Sequence, residues 1–384
     1  MSRLLIAVSH LLGAGHLTRA SAIGRAFARA GHEVTLVNGG VPAPLISLDG
    51  LKVVQLPALR ATWADFKTLL DEHGARAAPE HLAERRRILL ETLAATRPDV
   101  VLTELFPFGR RTLSDELMAL VEAAHAMRPR PLILSSLRDI LERPKKPERV
   151  VEARGRATAF YDALLVHGDP ELVALDESWP VDESIRPLLH WTGYVHDGAA
   201  IPAPPHSSDD SARTIVVSGG SSGAGIALYR AALGAAAVRP QLSWHILVGA
   251  GAEQTDFASL SAGAPANAIV ERARPDFLAL LARCAVSVSQ LGYNTAVDIL
   301  RANPRAVFVP FEGVVETEQP LRARRLSAWG WGTVLPEREL SPQTLAAAVD
   351  AALRAPRSAP SPVRIDGAER TVAIVEELLA RRWR

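Results

Sequence analysis

The segment Ser289–Leu326, SQLGYNTAVDILRANPRAVFVPFEGVVETEQPLRARRL, reads as loop, helix, buried strand, polar loop and helix. Gly292 permits close backbone approach just before a helix over Tyr293–Ala302, in which Asp298 sits beside Ile299 and Leu300 turned to a core. An acid so placed can face a ligand. Arg305–Pro310 (RAVFVP) is a short β-branched run closed by proline, the pattern of a parallel strand buried on both faces. Glu316, Glu318 and Gln319 follow in a polar stretch at the carboxyl end of that strand, where open parallel sheets bind ligands.

Working outward, the second half alternates in the same way. Strands are expected at Arg213–Val217, Ser243–Val248 and Val286–Ser289, and helices at Ile226–Ala237, Pro275–Ala282, Ser341–Arg354 and Gly367–Ala380. The first half repeats the pattern. Arg3–Val8 and Glu33–Val37 read as strands flanking a helix whose apolar spacing runs Leu17, Ala20, Ile23, Phe27, Ala30. Further strands are expected at Lys52–Leu56, Val100–Thr103, Pro131–Ser135 and Ala163–Val166, with helices near Glu80–Thr96, Thr112–Met127 and Glu148–Tyr161. DGAAIPAPPHSSDDSA, residues 197–212, lacks periodicity and reads as a linker. The expectation is therefore an α/β protein of two Rossmann-like doubly wound domains facing a cleft. They span 1–196 and 213–362, and a C-terminal helical segment, 363–384, is left to pack back on the first domain.

Composition bounds the function. The chain has 384 residues, and 43 Lys and Arg stand against 42 Asp and Glu, so no electrostatic argument favours nucleic acid as a partner. One cysteine, Cys284, excludes an internal disulfide and a Cys-rich zinc site. The opening MSRLLIAVSHLLGAGH is broken by Gly and His and reads as a first strand rather than a signal peptide. No apolar run approaches the roughly 20 residues that span a bilayer. A cytoplasmic protein is expected, with peripheral contact at the inner membrane face left open.

Two Gly-rich loops carry a phosphate argument. SGGSSGAG (Ser218–Gly225) lies between a strand and a helix, so its backbone N–H groups and the helix N-terminus can hold a diphosphate. GAGH (Gly13–His16) repeats the arrangement after the first strand and adds a histidine. Neither loop is a G-x-G-x-x-G fingerprint or ends in the Lys-Ser/Thr of a P-loop, which counts against dehydrogenase and NTPase chemistry. Plain βα turns are the alternative reading of both loops.

SGGSSGA, SQLGYNTAVDI and VPF followed by EQPLRARRL, in that order, resemble the C-terminal domain of family 28 GT-B glycosyltransferases, the group containing the enzyme that adds N-acetylglucosamine in peptidoglycan synthesis. GAGHLTRASAIGRAFARAGHEVTLV resembles that family's first loop and helix, and TELFPFGRR with SLRDIL resembles a MurG-like subgroup of predicted glycosyltransferases. The resemblance implies a GT-B fold and a metal-independent transfer of a hexosyl group, of N-acetylhexosaminyl type or another, from a UDP-sugar to an acceptor hydroxyl with inversion. UDP-sugar would be co-substrate, and no cofactor is implied. By motif, Gly219, Gly220, Ser221, Ser222 and Gly223, with Gly13 and Gly15, would lie against the diphosphate. Arg272, Ala273 and Arg274 would border the base, Asp298 would grip the ribose, and Glu318 and Gln319 would face the donor sugar. The family's usual ribose acid is Glu, so Asp298 is one methylene shorter.

His16 matches the histidine beside the reaction centre and is the leading general base, with Glu104 in TELFPF the next candidate. The acceptor stays open between a lipid-linked, glycan or small-molecule hydroxyl. Two alternatives stand beside transfer: a UDP-sugar hydrolase on the same scaffold, and a nucleotide-sugar-binding module without turnover.

Overall fold

In the computed structural model the described residues are 1–62, 68–198, 213–221, 223–313, 317–359 and 362–382. The chain divides into two units, Met1–Gly198 with Val363–Arg384, and Ala199–Pro362. Most of the expected linker falls outside the described residues, as does Glu316.

The first unit runs β1 (Arg3–Val8), α1 (Gly15–Arg29), β2 (Glu33–Gly40), β3 (Lys52–Leu59), α2 (Pro79–Thr96) and β4 (Val100–Glu104). It continues through α3 (Ser114–Ala126), β5 (Leu132–Arg138), α4 (Pro147–Phe160), β6 (Ala163–His167) and β7 (Leu189–Trp191). All strands pair in parallel, in the order β3-β2-β1-β4-β5-β6-β7. The period of two along each strand divides the core between the faces. On β1, Leu4, Ile6 and Val8 join one apolar cluster with Leu17, Ile23 and Phe27 of α1, while Leu5 and Ala7 join another with Leu89 of α2 and Leu120 of α3.

The second unit runs β8 (Thr214–Ser218), α5 (Ile226–Val238), β9 (Ser243–Val248), α6 (Gln254–Ala262), β10 (Ala268–Arg272) and α7 (Phe277–Arg283). Then come β11 (Val286–Ser289), α8 (Tyr293–Ala302), β12 (Ala306–Phe308), α9 (Glu318–Ala328), β13 (Thr333–Val334) and α10 (Pro342–Arg354). Its parallel sheet has the order β10-β9-β8-β11-β12-β13. Ile215, Trp244, Ile246 and Val288 of the strands pack with Leu228 and Ala232 of α5 and Leu345 and Val349 of α10. The chain then returns to the first unit as α11 (Gly367–Arg382), whose Ala368, Val372, Val375 and Leu379 repeat at helical spacing and join the cluster built on α1.

Strand order reverses between β1 and β4 in the first sheet and between β8 and β11 in the second. At such a switch point the loops leave in opposite directions and open a crevice at the carboxyl ends of the strands. The helix and strand assignments above agree with the sequence periodicity except at ends and in short pieces. β4, β5 and β6 run one to three residues beyond their expected ends, into Glu104, Arg138 and His167, and β7, α6, β10 and β13 were not anticipated.

Candidate active site

At the switch point of the first sheet, four neighbouring strands and α1 bring polar side chains together. Gly15 is the first residue of α1, and the helix has no side-chain cap, so His16 lies in its first turn. His16 Nδ1 is 2.9 Å from Glu104 Oε1. Arg19, one turn along the same helix face, makes a buried ion pair with the same carboxylate. Ser136 of β5, in register with Glu104, donates its hydroxyl to Oε2 at 2.6 Å. His167 closes β6, with Nε2 3.0 Å from Ser136 Oγ and Nδ1 2.9 Å from Thr192 Oγ1.

The protons of this chain have one consistent direction. An ionised carboxylate only accepts, so Ser136 donates to Glu104 and its oxygen accepts from His167 Nε2–H; the Thr192 hydroxyl, 2.9 Å from Nδ1, also lies 2.8 Å from Gly193 O. His16 donates its Nδ1–H to Glu104, which leaves Nε2 as the basic nitrogen. Burial works to raise the Glu104 pKa, but the Arg19 charge and the bonds from His16 and Ser136 outweigh it and hold the carboxyl well below its usual range. Burial, then the charge of Arg110, keep His16 well below its ordinary 6.5 despite Glu104. His167 is lowered to about 3 by burial and the Arg19 charge. The result is a neutral imidazole held on an anionic carboxylate, the arrangement a general base needs.

The sequence reading paired neither Ser136 nor His167 with this site, and it offered Glu104 as an alternative base. Glu104 is 2% exposed and turned onto Nδ1, so it orients His16. Gly13 and Gly15 lie in the same turn, both half-buried.

The second unit builds its site at the β8–β11 switch point. Gly219 N–H donates to the Tyr229 hydroxyl oxygen at 3.0 Å, and Gly249 N–H reaches the same oxygen at 3.3 Å. A Cβ at Gly219 would lie 2.6 Å from that oxygen, so only glycine lets the loop close on Tyr229. Gly220, at φ +72°, donates its N–H to Ser218 Oγ at 3.2 Å. Two amides expected at the diphosphate are thus engaged within the loop. Ser221 is exposed, and α5 begins after the turn Gly223–Gly225 with no side-chain cap at Gly225; Ser222 falls outside the described residues.

Gln290, which the sequence reading passed over, joins this loop to the start of α8. Its N–H donates to Ser218 O at 3.0 Å and its side-chain amide to Ala224 O at 3.2 Å. Asp298 is half-buried in α8, whose N-terminus at Gly292 has no side-chain cap. Glu318 and Gln319 have internal partners. Glu318 Oε1 pairs with the fully buried Arg322 at 2.8 Å, and Arg322 also donates to Leu291 O at 2.7 Å. Gln319 Oε1 accepts from Leu291 N–H at 2.9 Å and Phe311 N–H at 3.1 Å, clamping two loops together. The Glu318 carboxylate is therefore turned to Arg322, and the Gln319 side-chain oxygen to the two loop amides. Around the expected base, Arg272 lies 4.3 Å over the Phe257 ring and donates to Ala252 O at 3.0 Å. Ala273 N–H donates to Val248 O at 2.9 Å, and Arg274 pairs with Asp276 at 2.8 Å.

Two doubly wound parallel sheets, each with its site at a switch point, define the GT-B class of folds. The solved structures agree: the spinosyn forosaminyltransferase SpnP matches with TM-score 0.62 at 14% identity, covering 99% of both chains. MurG of Acinetobacter baumannii matches with TM-score 0.60 at 15% identity, covering 98% of this chain and 100% of that one.

The model of the glycosyltransferase family 28 C-terminal domain matches residues 214–373, which take in the second unit's sheet and the start of α11. A curated relative from Verminephrobacter eiseniae (strain EF01-2), named UDP-N-acetylglucosamine--N-acetylmuramyl-(pentapeptide) pyrophosphoryl-undecaprenol N-acetylglucosamine transferase, is 33% identical over 174 residues, 42% of this chain and 47% of the relative. A protein of the same name from Albidiferax ferrireducens is 29% identical over 167 residues, 42% of this chain and 43% of its own length. The chain thus spans less than half the length of these curated relatives. Among the described residues, no helix is long and apolar enough to cross a membrane.

Proposed function

We propose that this protein is a glycosyltransferase that moves a hexosyl group from a UDP-sugar to an acceptor hydroxyl, with inversion and without a metal ion. The observation that carries the reading is the His16–Glu104 pair at the first sheet's switch point, in a chain whose residues 214–373 match the family 28 C-terminal domain. The acceptor oxygen forms its bond to the anomeric carbon as the bond to the UDP oxygen breaks. His16 Nε2 takes the hydroxyl proton, and UDP departs with the electron pair. The amides entering α5 and α8, with their helix dipoles, stabilise the charge gathering on the diphosphate. Asp298 accepts from the ribose hydroxyls. The curated relatives are named for a UDP-linked donor and a lipid-linked acceptor, which favours UDP-sugars here and keeps peripheral work at the inner membrane face among the readings.

The test is mass spectrometry of products after incubation with a panel of UDP-sugars and a cell lipid extract, with UDP release measured with and without the extract. Release that is equally fast without acceptor replaces transfer by hydrolysis. Binding of UDP with no release at all leaves only a binding module.

Two further outcomes follow. Asp298→Ala weakens UDP binding by about 1.5–3 kcal/mol, the range for hydrogen bonds to a charged group, and calorimetry reads it; an unchanged affinity in the folded variant removes Asp298 from the nucleotide. Turnover survives excess EDTA, because amides and helix dipoles are assigned the leaving diphosphate. Full loss with rescue by magnesium or manganese sinks the metal-free mechanism.

A further inference from the structure

Beside the His16–Glu104 pair lies a group of cationic and imidazole side chains that the proposed mechanism does not use. Arg110 follows β4 and holds a left-handed backbone, φ +58°, uncommon for a residue with a side chain. Its Nε and Nη2 are shielded from water and have no hydrogen-bond partner among the described residues. Those two atoms form the edge of the guanidinium that meets a carboxylate or phosphate in two parallel bonds.

His10, just after β1 and 3% exposed, presents a second such atom: its Nε2 also has no partner among the described residues. Gly40, at the end of the adjoining β2, makes room for that ring, since a Cβ there would lie 2.7 Å from Nε2. Arg110 is close enough to both histidines that its charge acts on each, and burial with that charge lowers His10 to about 4. The charged groups acting on Arg110 are Glu104, Arg138 and Arg19. Glu104 is already engaged by Arg19, His16 and Ser136, and Asp139, next to Arg138, is turned to the Tyr194 hydroxyl at 3.0 Å. Burial and the neighbouring guanidinium charges bring Arg110 down to about 10, so it stays charged at neutral pH.

We propose that Arg110 forms an anion subsite beside His16, with His10 Nε2 accepting a hydroxyl of the same ligand, and that the acceptor carries a carboxylate or a phosphate there, close to the hydroxyl that reacts. The reading rests on the proposed transfer for the word acceptor, while the anion site stands on the side chains alone. Arg110 supplies the two-bond fork. The neutral His10 ring accepts a hydrogen bond from a hydroxyl of the ligand at Nε2.

The experiment titrates the full chain, saturated with UDP, with inorganic phosphate and separately with glycolate, following imidazole resonances assigned through His10→Gln and His16→Gln. Ethylene glycol serves as the neutral counterpart of glycolate. The expected result is a saturable shift of both resonances by at least one anion and none by ethylene glycol. Arg110→Gln weakens that binding about tenfold or more, and Arg110→Lys, which keeps the charge without the fork, falls between. The stronger of the two anions tells phosphate from carboxylate. The proposal is overturned if neither anion binds saturably or if Arg110→Gln binds them as wild type does. It is overturned equally if Arg110→Gln weakens UDP binding to the same degree, since the fork then serves the donor phosphates. Should Arg110→Gln not fold, the comparison of wild type with Arg110→Lys decides, with equal affinity counting against the fork. If the anions bind as stated while no UDP-sugar is ever transferred, the transferase reading fails and the subsite remains.

Discussion

His16→Ala is expected to slow sugar transfer at least about a hundredfold while leaving UDP affinity within about twofold, because a positioned general base typically contributes about 10²–10⁴ in rate. The separation follows from placement. His16 belongs to the first unit, whereas Asp298 and the SGGSSGAG stretch belong to the second. Removing the imidazole leaves Glu104 paired with Arg19 and Ser136, so the carboxylate is not stranded and the fold should survive. The wild-type pH profile carries the same signature. The base works only unprotonated, and burial followed by the Arg110 charge holds its pKa well below 6.5. Lowering the pH through 6.5 should therefore leave kcat/KM flat, with the acid limb appearing only further down. Near-normal turnover in the alanine variant, or an acid limb at or above 6.5, removes His16 as the base.

Most of the fold was open to reading because its signals are periodic. Leu17, Ile23 and Phe27 keep a helical spacing and do pack together, and RAVFVP is the buried strand its β-branched run announces. The site was only half open, for a specific reason. Glu104, Ser136 and His167 are polar residues at or near the ends of buried strands, and a pattern search stops a strand where the apolar run stops. The usable signal lay in the repetition: VVLTE, LILSSLR and ALLVH each close an apolar run with an ionisable residue, at the sheet edge where parallel sheets bind ligands.

Glu318, Gln319 and Gly219 illustrate the other limit. Their types suit a donor site, yet the partners that engage them are Arg322, two loop amides and Tyr229, and partner choice depends on side-chain direction. Residue type alone does not encode it. α6 escaped notice because the alanine- and glycine-rich stretch Gly249–Ala268 has little apolar contrast to set a period.

Glu104 lets orientation be separated from stability. Glu104→Gln keeps the shape but removes the charge that fixes His16 Nδ1–H and balances Arg19. Two losses are expected. Turnover should fall at least about a hundredfold, since the imidazole no longer has a carboxylate to hold its tautomer or stabilise it as it takes the proton. Stability should fall by about 3–5 kcal/mol, the cost of breaking a buried ion pair by removing one member, here the pair of Glu104 with Arg19 at 2% exposure. The second substitution Arg19→Met removes the other member, and replacing both members of a buried pair by uncharged groups is often near neutral. Denaturant unfolding of Glu104→Gln with Arg19→Met should accordingly recover most of the lost stability. Its turnover should stay low, because nothing in the double variant restores an anion to Nδ1. A double variant that regains both stability and turnover would show that Glu104 serves the fold alone, and the base would then act without an oriented imidazole.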